Sequence, residues 1–70
     1  MSYTEKELFD YMDSRRPVRV ECTDGAVFIG PCWAYGATVS EEEFGMAEPL
    51  LDVGGTTLRI SDIEKIEFVD

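Results

Sequence analysis

An Asp-Gly pair at Asp24-Gly25 constrains the fold of this chain more than any other feature. It separates two runs rich in β-branched and aromatic residues, 18–23 and 26–35. Asp and Gly both tolerate the positive φ of a tight turn, so this arrangement is typical of a β-hairpin. A two-residue turn places the apolar residues of both strands on one face, and these are Val18, Val20, Cys22, Val27, Ile29 and Pro31.

The second of these strands is interrupted at Gly30-Pro31. Gly within a strand marks a bend, and Pro cannot donate a hydrogen bond to a neighbouring strand. A long strand bent at this point can pair with different neighbours on its two halves, as strands of small barrels do. Three later strands are predicted, with a Gly54-Gly55 hairpin turn and a helical turn at Ser61-Asp62 between them: Leu50 to Val53, Thr56 to Ile60 and Glu64 to Val69.

The residues before the first strand predict a helix over 4–14. Thr4 followed by Glu7 is a capping box, which is typical of a helix N-terminus. An apolar stripe of Leu8, Tyr11 and Met12 has helical spacing. Pro17 ends the segment, since the residue before a proline disfavours helix.

With its 70 residues the chain is predicted to form a single domain with a thin core. Segment 36–48 contains Gly36, the acidic triplet 41–43 and Gly45, and it is predicted to be an acidic surface loop. The glutamates of this loop could bind a divalent cation, but consecutive glutamates lack the spacing of a known loop site. We therefore interpret them as a solvated surface and predict no metal site.

Charge and composition exclude several classes of function. The net charge is −9, from six basic and fifteen acidic residues, which disfavours phosphate backbones and anionic membranes. No apolar run approaches the length of a membrane span, and residues 1–7 lack a signal-peptide core, which predicts a cytoplasmic protein. In that compartment Cys22 and Cys32 are expected to be thiols.

Nothing in the sequence predicts catalysis. The chain has no histidine, the commonest general base, and no glycine-rich phosphate loop. Neither Ser40 nor Ser61 has an evident base. We therefore predict a non-enzymatic protein without a cofactor.

The stretch from Asp24-Gly25 to Gly30, preceded by alternating apolar residues, resembles the first Sm motif of Sm-like (LSm) proteins. The helix before it and residues 58–68 look like the N-terminal helix and last two strands of that fold, as in short uncharacterised bacterial LSm-like proteins. The resemblance implies a mainly β protein, with an Sm-like/SH3-like five-stranded small barrel over 18–69 behind the helix. It also implies a homo-oligomer, such as a ring in which the fourth strand of one subunit pairs with the fifth strand of the next.

Many members of this family bind RNA, but this sequence does not match the family in the two loops that hold the bases. Residues 35–38 and 60–63 occupy those places and lack the family's Asn and Arg. Aromatic side chains of the strands could still stack on bases, and Phe28 is one of these aromatic residues. The candidate ligand-binding residues are Trp33, Tyr35, Arg59 and Asp62. We predict a self-associating module that binds a protein or peptide, with RNA binding as the alternative.

Overall fold

A computed structural model describes residues 3–69. It is mainly β, with an N-terminal helix and two small antiparallel sheets. The elements in chain order are α1 (Glu5–Ser14), β1 (Val18–Cys22), β2 (Val27–Gly30), β3 (Cys32–Tyr35), α2 (Ala37–Phe44), β4 (Leu50–Val53), β5 (Thr56–Arg59), a 3₁₀ turn (Ile60–Asp62) and β6 (Ile63–Phe68).

Helix α1 begins as the capping box predicts. The backbone N–H of Glu7 donates to Thr4 Oγ1 at 3.2 Å, and the backbone N–H of Thr4 donates to Glu7 Oε1 at 3.1 Å. The helix ends at Ser14, and Arg15 adopts a left-handed conformation with φ 58°. Leu8 is fully buried and anchors the helix to the core.

The predicted bend at Gly30-Pro31 is confirmed and divides the long second strand in two. Its first half, β2, pairs with β1, and its second half, β3, pairs with β4. The first sheet therefore has the order β2-β1-β6 and the second sheet has the order β3-β4-β5. Six strands replace the five predicted, because each half has its own partner.

The predicted face of the first hairpin is wrong by one residue. The backbone N–H of Cys22 donates to the Ala26 carbonyl at 2.8 Å, so the turn holds three residues rather than two. Val20 consequently pairs with Phe28, and Phe28 packs against the core. Val27 and Ile29 face outward instead and are 42% and 60% exposed. A three-residue turn that ends in a positive-φ Gly is a common alternative to the two-residue turn.

Segment 36–48 is not a loop throughout, because it contains helix α2. The backbone N–H of Ala37 donates to Glu5 Oε1 at 2.8 Å, so a side chain of α1 satisfies the start of α2. Gly45 ends the helix with φ 73°. A cap from a residue this distant in sequence leaves no local signal, which explains why the segment was predicted as a loop.

The core lies between the two sheets and α1. Its buried members are Leu8, Val18, Val20, Cys22, Ala34, Leu51, Val53, Leu58, Ile63 and Ile66. Every strand except β2 contributes at least one of them. The core thus joins the inner faces of both sheets to α1.

Candidate functional site

Three of the four candidate ligand-binding residues lie on the outer face of the second sheet. The register pairs Trp33 with Asp52 and Tyr35 with Leu50, and Leu50 pairs with Arg59 in turn. Directly paired residues of antiparallel strands project from the same face. Folding therefore brings together residues that are more than twenty positions apart in the sequence.

These residues differ in how far they are available to a ligand. Trp33 is 59% exposed. Tyr35 is half-buried, because its ring contacts Phe44 of α2 with the ring centroids 5.3 Å apart. Leu50, beside Tyr35, is fully buried. Trp33 is therefore the accessible aromatic residue of this face, and Tyr35 serves mainly to hold α2.

The fourth candidate, Asp62, contacts Arg59 directly. Arg59 Nε donates to Asp62 Oδ2 at 3.1 Å, and both side chains are about half exposed, at 52% and 44%. The backbone carbonyl of Asp62 also accepts a hydrogen bond from the Thr23 N–H at 2.9 Å. The Arg59 charge is thus partly neutralised by its neighbour, which reduces its value for binding an anion.

A cleft beside Trp33 was not predicted from the sequence. It has a volume of about 520 Å³ and lies between the end of α1 and the start of β3. Its lining residues are Met12, Asp13, Arg15, Arg16, Pro31, Cys32 and Trp33. Arg15 and Arg16 are adjacent in the sequence and could have indicated a basic surface there. Their proximity to Trp33 could not be predicted, because it depends on the bend at Gly30.

The two arginines of the cleft have different surroundings. The Arg16 guanidinium lies 4.0 Å from the centroid of the Phe68 ring, which is within range of a cation–π interaction. Arg15 is exposed at the helix C-cap. The cleft thus combines two arginines and one acidic residue, Asp13, with the indole of Trp33, in a chain whose net charge is −9.

The outer edge of β5 carries backbone groups without a strand partner. The Ile60 N–H donates to the Pro49 carbonyl at 3.0 Å, on the β4 side. Because backbone groups alternate along a strand, those of Thr57 and Arg59 point away from β4. Within residues 3–69 no further strand pairs with this edge, and no hydrogen bond from another segment is seen to the backbone of Thr57 or Arg59.

The outer edge of β6 is covered at Ile66 by Tyr11 of α1 and by Tyr3, which precedes the helix cap Thr4. The Ile66 N–H donates to the Tyr3 hydroxyl at 2.9 Å, and the Tyr11 hydroxyl donates to the Ile66 carbonyl at 3.3 Å. The two tyrosine rings contact each other edge to face, with centroids 6.3 Å apart. These hydroxyls stand where a neighbouring strand would otherwise bind.

The described residues lack the arrangements expected of metal or membrane proteins. No group of three or more His, Cys, Asp or Glu among them could hold a metal ion. Glu48, a further glutamate of segment 36–48, accepts a hydrogen bond from the Ser61 N–H at 3.1 Å. Within the same part of the chain, no helix has the length and apolarity needed to cross a membrane.

Comparison with known proteins gives no assignment. No protein-family model, curated protein or solved structure matches the chain. The function must therefore be inferred from the surfaces described above.

Proposed function

We propose that this chain is a non-enzymatic, self-associating binding module of the Sm-like type, most suited to protein or peptide partners. The observation that carries the proposal is the uncovered outer edge of β5. An exposed strand edge is a template for pairing with another chain, and proteins that remain monomeric normally protect such edges. Among the described residues, α1 contacts the outer edge of β3, Tyr3 and Tyr11 contact that of β6, and Gly54 lies close to that of β2, so we take β5 as the edge for association.

The order and bending of the strands support the Sm-like assignment. The helix precedes an antiparallel strand that bends at Gly30 and passes from one sheet to the other. A 3₁₀ turn over Ile60–Asp62 then joins β5 to β6, which returns to pair with β1. Apart from α2 and the division of the second strand, this is the order of elements that the resemblance implies for an Sm-like small barrel.

The cleft beside Trp33 supports a peptide as partner. A peptide side chain that is apolar could pack on the exposed indole, while an acidic neighbour could contact Arg15. The ion pair between Arg59 and Asp62 leaves the cleft as the more available positive surface on this side. We therefore propose short acidic peptides with one aromatic or large aliphatic residue as ligands.

Trp33 is the single tryptophan of the chain, so its fluorescence reports on the cleft. Titration with peptides of the proposed kind should change its emission, and Arg15→Ala should weaken binding about fivefold, as expected when one charge-assisted hydrogen bond is lost. Lys6→Ala is a matched control, because it removes a positive charge from the same helix outside the cleft. Equal affinity in both variants would contradict a binding role for the cleft.

Self-association is tested separately by light scattering after size exclusion over a dilution series. We expect a mass above that of one chain at micromolar concentration. A single-chain mass at every concentration would contradict this part of the proposal.

RNA binding is a second candidate, favoured by the combination of Trp33 and Arg15 in one cleft. The remaining charges disfavour it, because Arg19 lies 3.3 Å from Glu67 and Lys65 lies 3.7 Å from the same carboxylate group. We expect no binding of uridine-rich or adenine-rich oligonucleotides tighter than about 10 µM at physiological salt, which is weaker than specific recognition.

Fluorescence anisotropy with labelled oligonucleotides tests this expectation. Sub-micromolar binding that weakens steeply with salt would favour RNA over a peptide. Loss of that binding in Tyr35→Ala or Arg59→Ala would then locate the site on the outer face of the second sheet, since neither residue lines the cleft.

A further inference from the structure

We propose that two copies of this chain associate through their β5 strands about a twofold axis, and that β6 does not take part. The inference rests on the proposed self-association and specifies which surface performs it. The result is a symmetric dimer in which the two second sheets form one six-stranded antiparallel sheet. It differs from the head-to-tail ring that the family resemblance implies.

Pairing through β6 would require breaking contacts that the chain already makes. Ile66 lies in the middle of β6, and both of its outward backbone groups are hydrogen-bonded to Tyr3 and Tyr11. The Tyr11 ring also contacts Phe68, with centroids 5.2 Å apart. A strand arriving at this edge must displace α1, whereas a strand arriving at β5 displaces nothing among the described residues.

The edges of β2 and β3 are less suitable for the same reason. The Ala34 N–H on the outer edge of β3 donates to Met12 Sδ at 3.4 Å, so α1 covers this edge as well. On β2, the Ile29 carbonyl lies so close to Gly54 that a Cβ on Gly54 would come within 3.0 Å of it. On β2 one of the two outward residues, Ile29, therefore faces the β4–β5 turn, whereas on β5 neither Thr57 nor Arg59 has such a backbone contact among the described residues.

The side chains of β5 select one register between the two copies. Pairing Thr57 with Arg59 of the second copy gives two hydrogen-bonded pairs and places the two Leu58 side chains opposite each other on the inner face. Pairing Arg59 with Arg59 would place like charges directly opposite, which is destabilising. Pairing Thr57 with Thr57 would place Arg59 against Gly55 in the turn, with one hydrogen-bonded pair of strand residues instead of two.

The net charge of −9 on each copy opposes association only weakly at physiological salt. Charges there are screened over about 8 Å, whereas the shortest dimension of the molecule is 21 Å. We therefore expect the dimer to strengthen as salt rises from about 10 mM to about 150 mM, because the net repulsion is screened.

Hydrogen exchange resolved by residue tests this arrangement in the unmodified protein. We expect the amides of Thr57 and Arg59 to be protected at high protein concentration and to lose that protection on dilution. The Ile66 amide should stay protected at both concentrations, because Tyr3 accepts its hydrogen bond within one copy. The outward Phe68 amide of β6 should show no dependence on concentration.

Two substitutions at one position provide a matched pair. Thr57→Pro removes an outward N–H without removing a hydrogen bond to β4, and it should raise the dimer dissociation constant at least about tenfold. Thr57→Val keeps the N–H and nearly the same shape, and it should leave the dissociation constant within about twofold. A Tyr3→Phe/Tyr11→Phe double variant should also remain dimeric.

The outcomes separate this inference from the proposed function. A larger ring with concentration-dependent protection of the Phe68 amide would overturn the β5 dimer and leave self-association intact. A monomer at every concentration would overturn both. A dimer that persists in a folded Thr57→Pro protein, or protection confined to other residues, would overturn the inference alone.

Discussion

Gly30, at the bend between β2 and β3, lies against Gly54 in the β4–β5 turn, and we call this contact the crossing. The crossing and the turn at Thr23 to Gly25 both depend on glycine, but for different reasons. A Cβ on Gly30 would lie 2.9 Å from the Gly54 Cα, and Gly30 has a φ of 154°. A Cβ on Gly25 would meet nothing within 4 Å, although its φ is 90°. Close backbone contact therefore requires glycine at the crossing, whereas backbone conformation alone requires it in the turn.

The two regions also differ in what they position. At the crossing, the Gly54 N–H donates to the Pro31 carbonyl at 3.0 Å, which joins the bend between the sheets to the β4–β5 hairpin. Trp33 and the cleft follow directly after this bend. The Thr23 to Gly25 turn sets only which residues of β2 face inward. We expect substitutions at the crossing to affect both the stability of the fold and the candidate site, and substitutions in the turn to affect mainly stability.

Gly30→Ala should have the largest effect. The new Cβ meets backbone atoms of Gly54 that cannot rotate away, and the residue must also adopt an unfavourable φ. Overpacking and backbone strain together should lower the free energy of unfolding by about 2–5 kcal/mol. Urea unfolding followed by Trp33 fluorescence measures the change and also reports whether the surroundings of Trp33 differ in the folded state.

Gly55→Ala is the control for this prediction. Gly55 has a φ of 93° in the same hairpin turn as Gly54, but a Cβ there meets nothing within 4 Å. It should therefore show the conformational cost without the contact, about 1–2 kcal/mol. Equal losses for Gly30→Ala and Gly55→Ala would contradict the close crossing.

Gly25→Val should come next, with a loss of more than about 1 kcal/mol, because a β-branched residue is strained at positive φ. Gly25→Asn should lose less, since Asn tolerates this conformation better. Thermal unfolding of the two variants beside the wild type measures both effects. A wild-type melting temperature for Gly25→Val would show that the turn does not need glycine.

These two regions also show which parts of the fold a sequence reveals. The bend at Gly30-Pro31 and the turn at Gly54-Gly55 were predicted correctly, because Gly and Pro act on the backbone wherever they occur. The first turn was misjudged because Asp24-Gly25 is compatible with loops of two and three residues, and the wrong length reverses the face of every β2 residue. Only the hydrogen bond between Cys22 and Ala26 decides between the two.

The candidate site shows a similar limit. Trp33, Tyr35 and Arg59 could be selected from residue type and predicted strands, and the register does place them on one face. The cleft could not be predicted, since it needs α1 to end beside the bend. Nor could the covering of the β6 edge, because Tyr3 and Ile66 are 63 residues apart in the sequence.

Aspartates support both hairpin turns and allow a matched comparison of smaller effects. Asp24 Oδ1 accepts a hydrogen bond from the Ala26 N–H at 3.0 Å, and Asp52 Oδ1 accepts one from the Gly55 N–H at 3.0 Å. Asp24→Ala and Asp52→Ala should each lower the free energy of unfolding by about 0.5–1.5 kcal/mol. Chemical denaturation compares them, and a loss in only one variant would show that the two turns are not equivalent.

The smallest expected effects are at the two thiols, which lie one beside each region. Burial raises the pKa of the Cys22 thiol above its ordinary value of 9.0, and the charges of Asp24 and Asp62 raise it further. Burial also raises the pKa of the Cys32 thiol above 9.0. Because the native state favours the protonated thiol, this stabilisation is present below pH 9.0 and is lost as pH rises through the higher folded pKa.

The melting temperature should therefore begin to fall above about pH 9, and the fall should be smaller in Cys22→Ala.

Alkylation at neutral pH should be slower at both thiols than in a free peptide, because the thiolate is the reactive form. Cys22 is 5% exposed and Cys32 is half-buried, so Cys22 should react more slowly. Mass spectrometry of the alkylated, unreduced protein measures both rates. Labelling of Cys22 as fast as that of Cys32 would show that the first turn opens more readily than the crossing, and a two-dalton loss without labelling would show a disulfide instead.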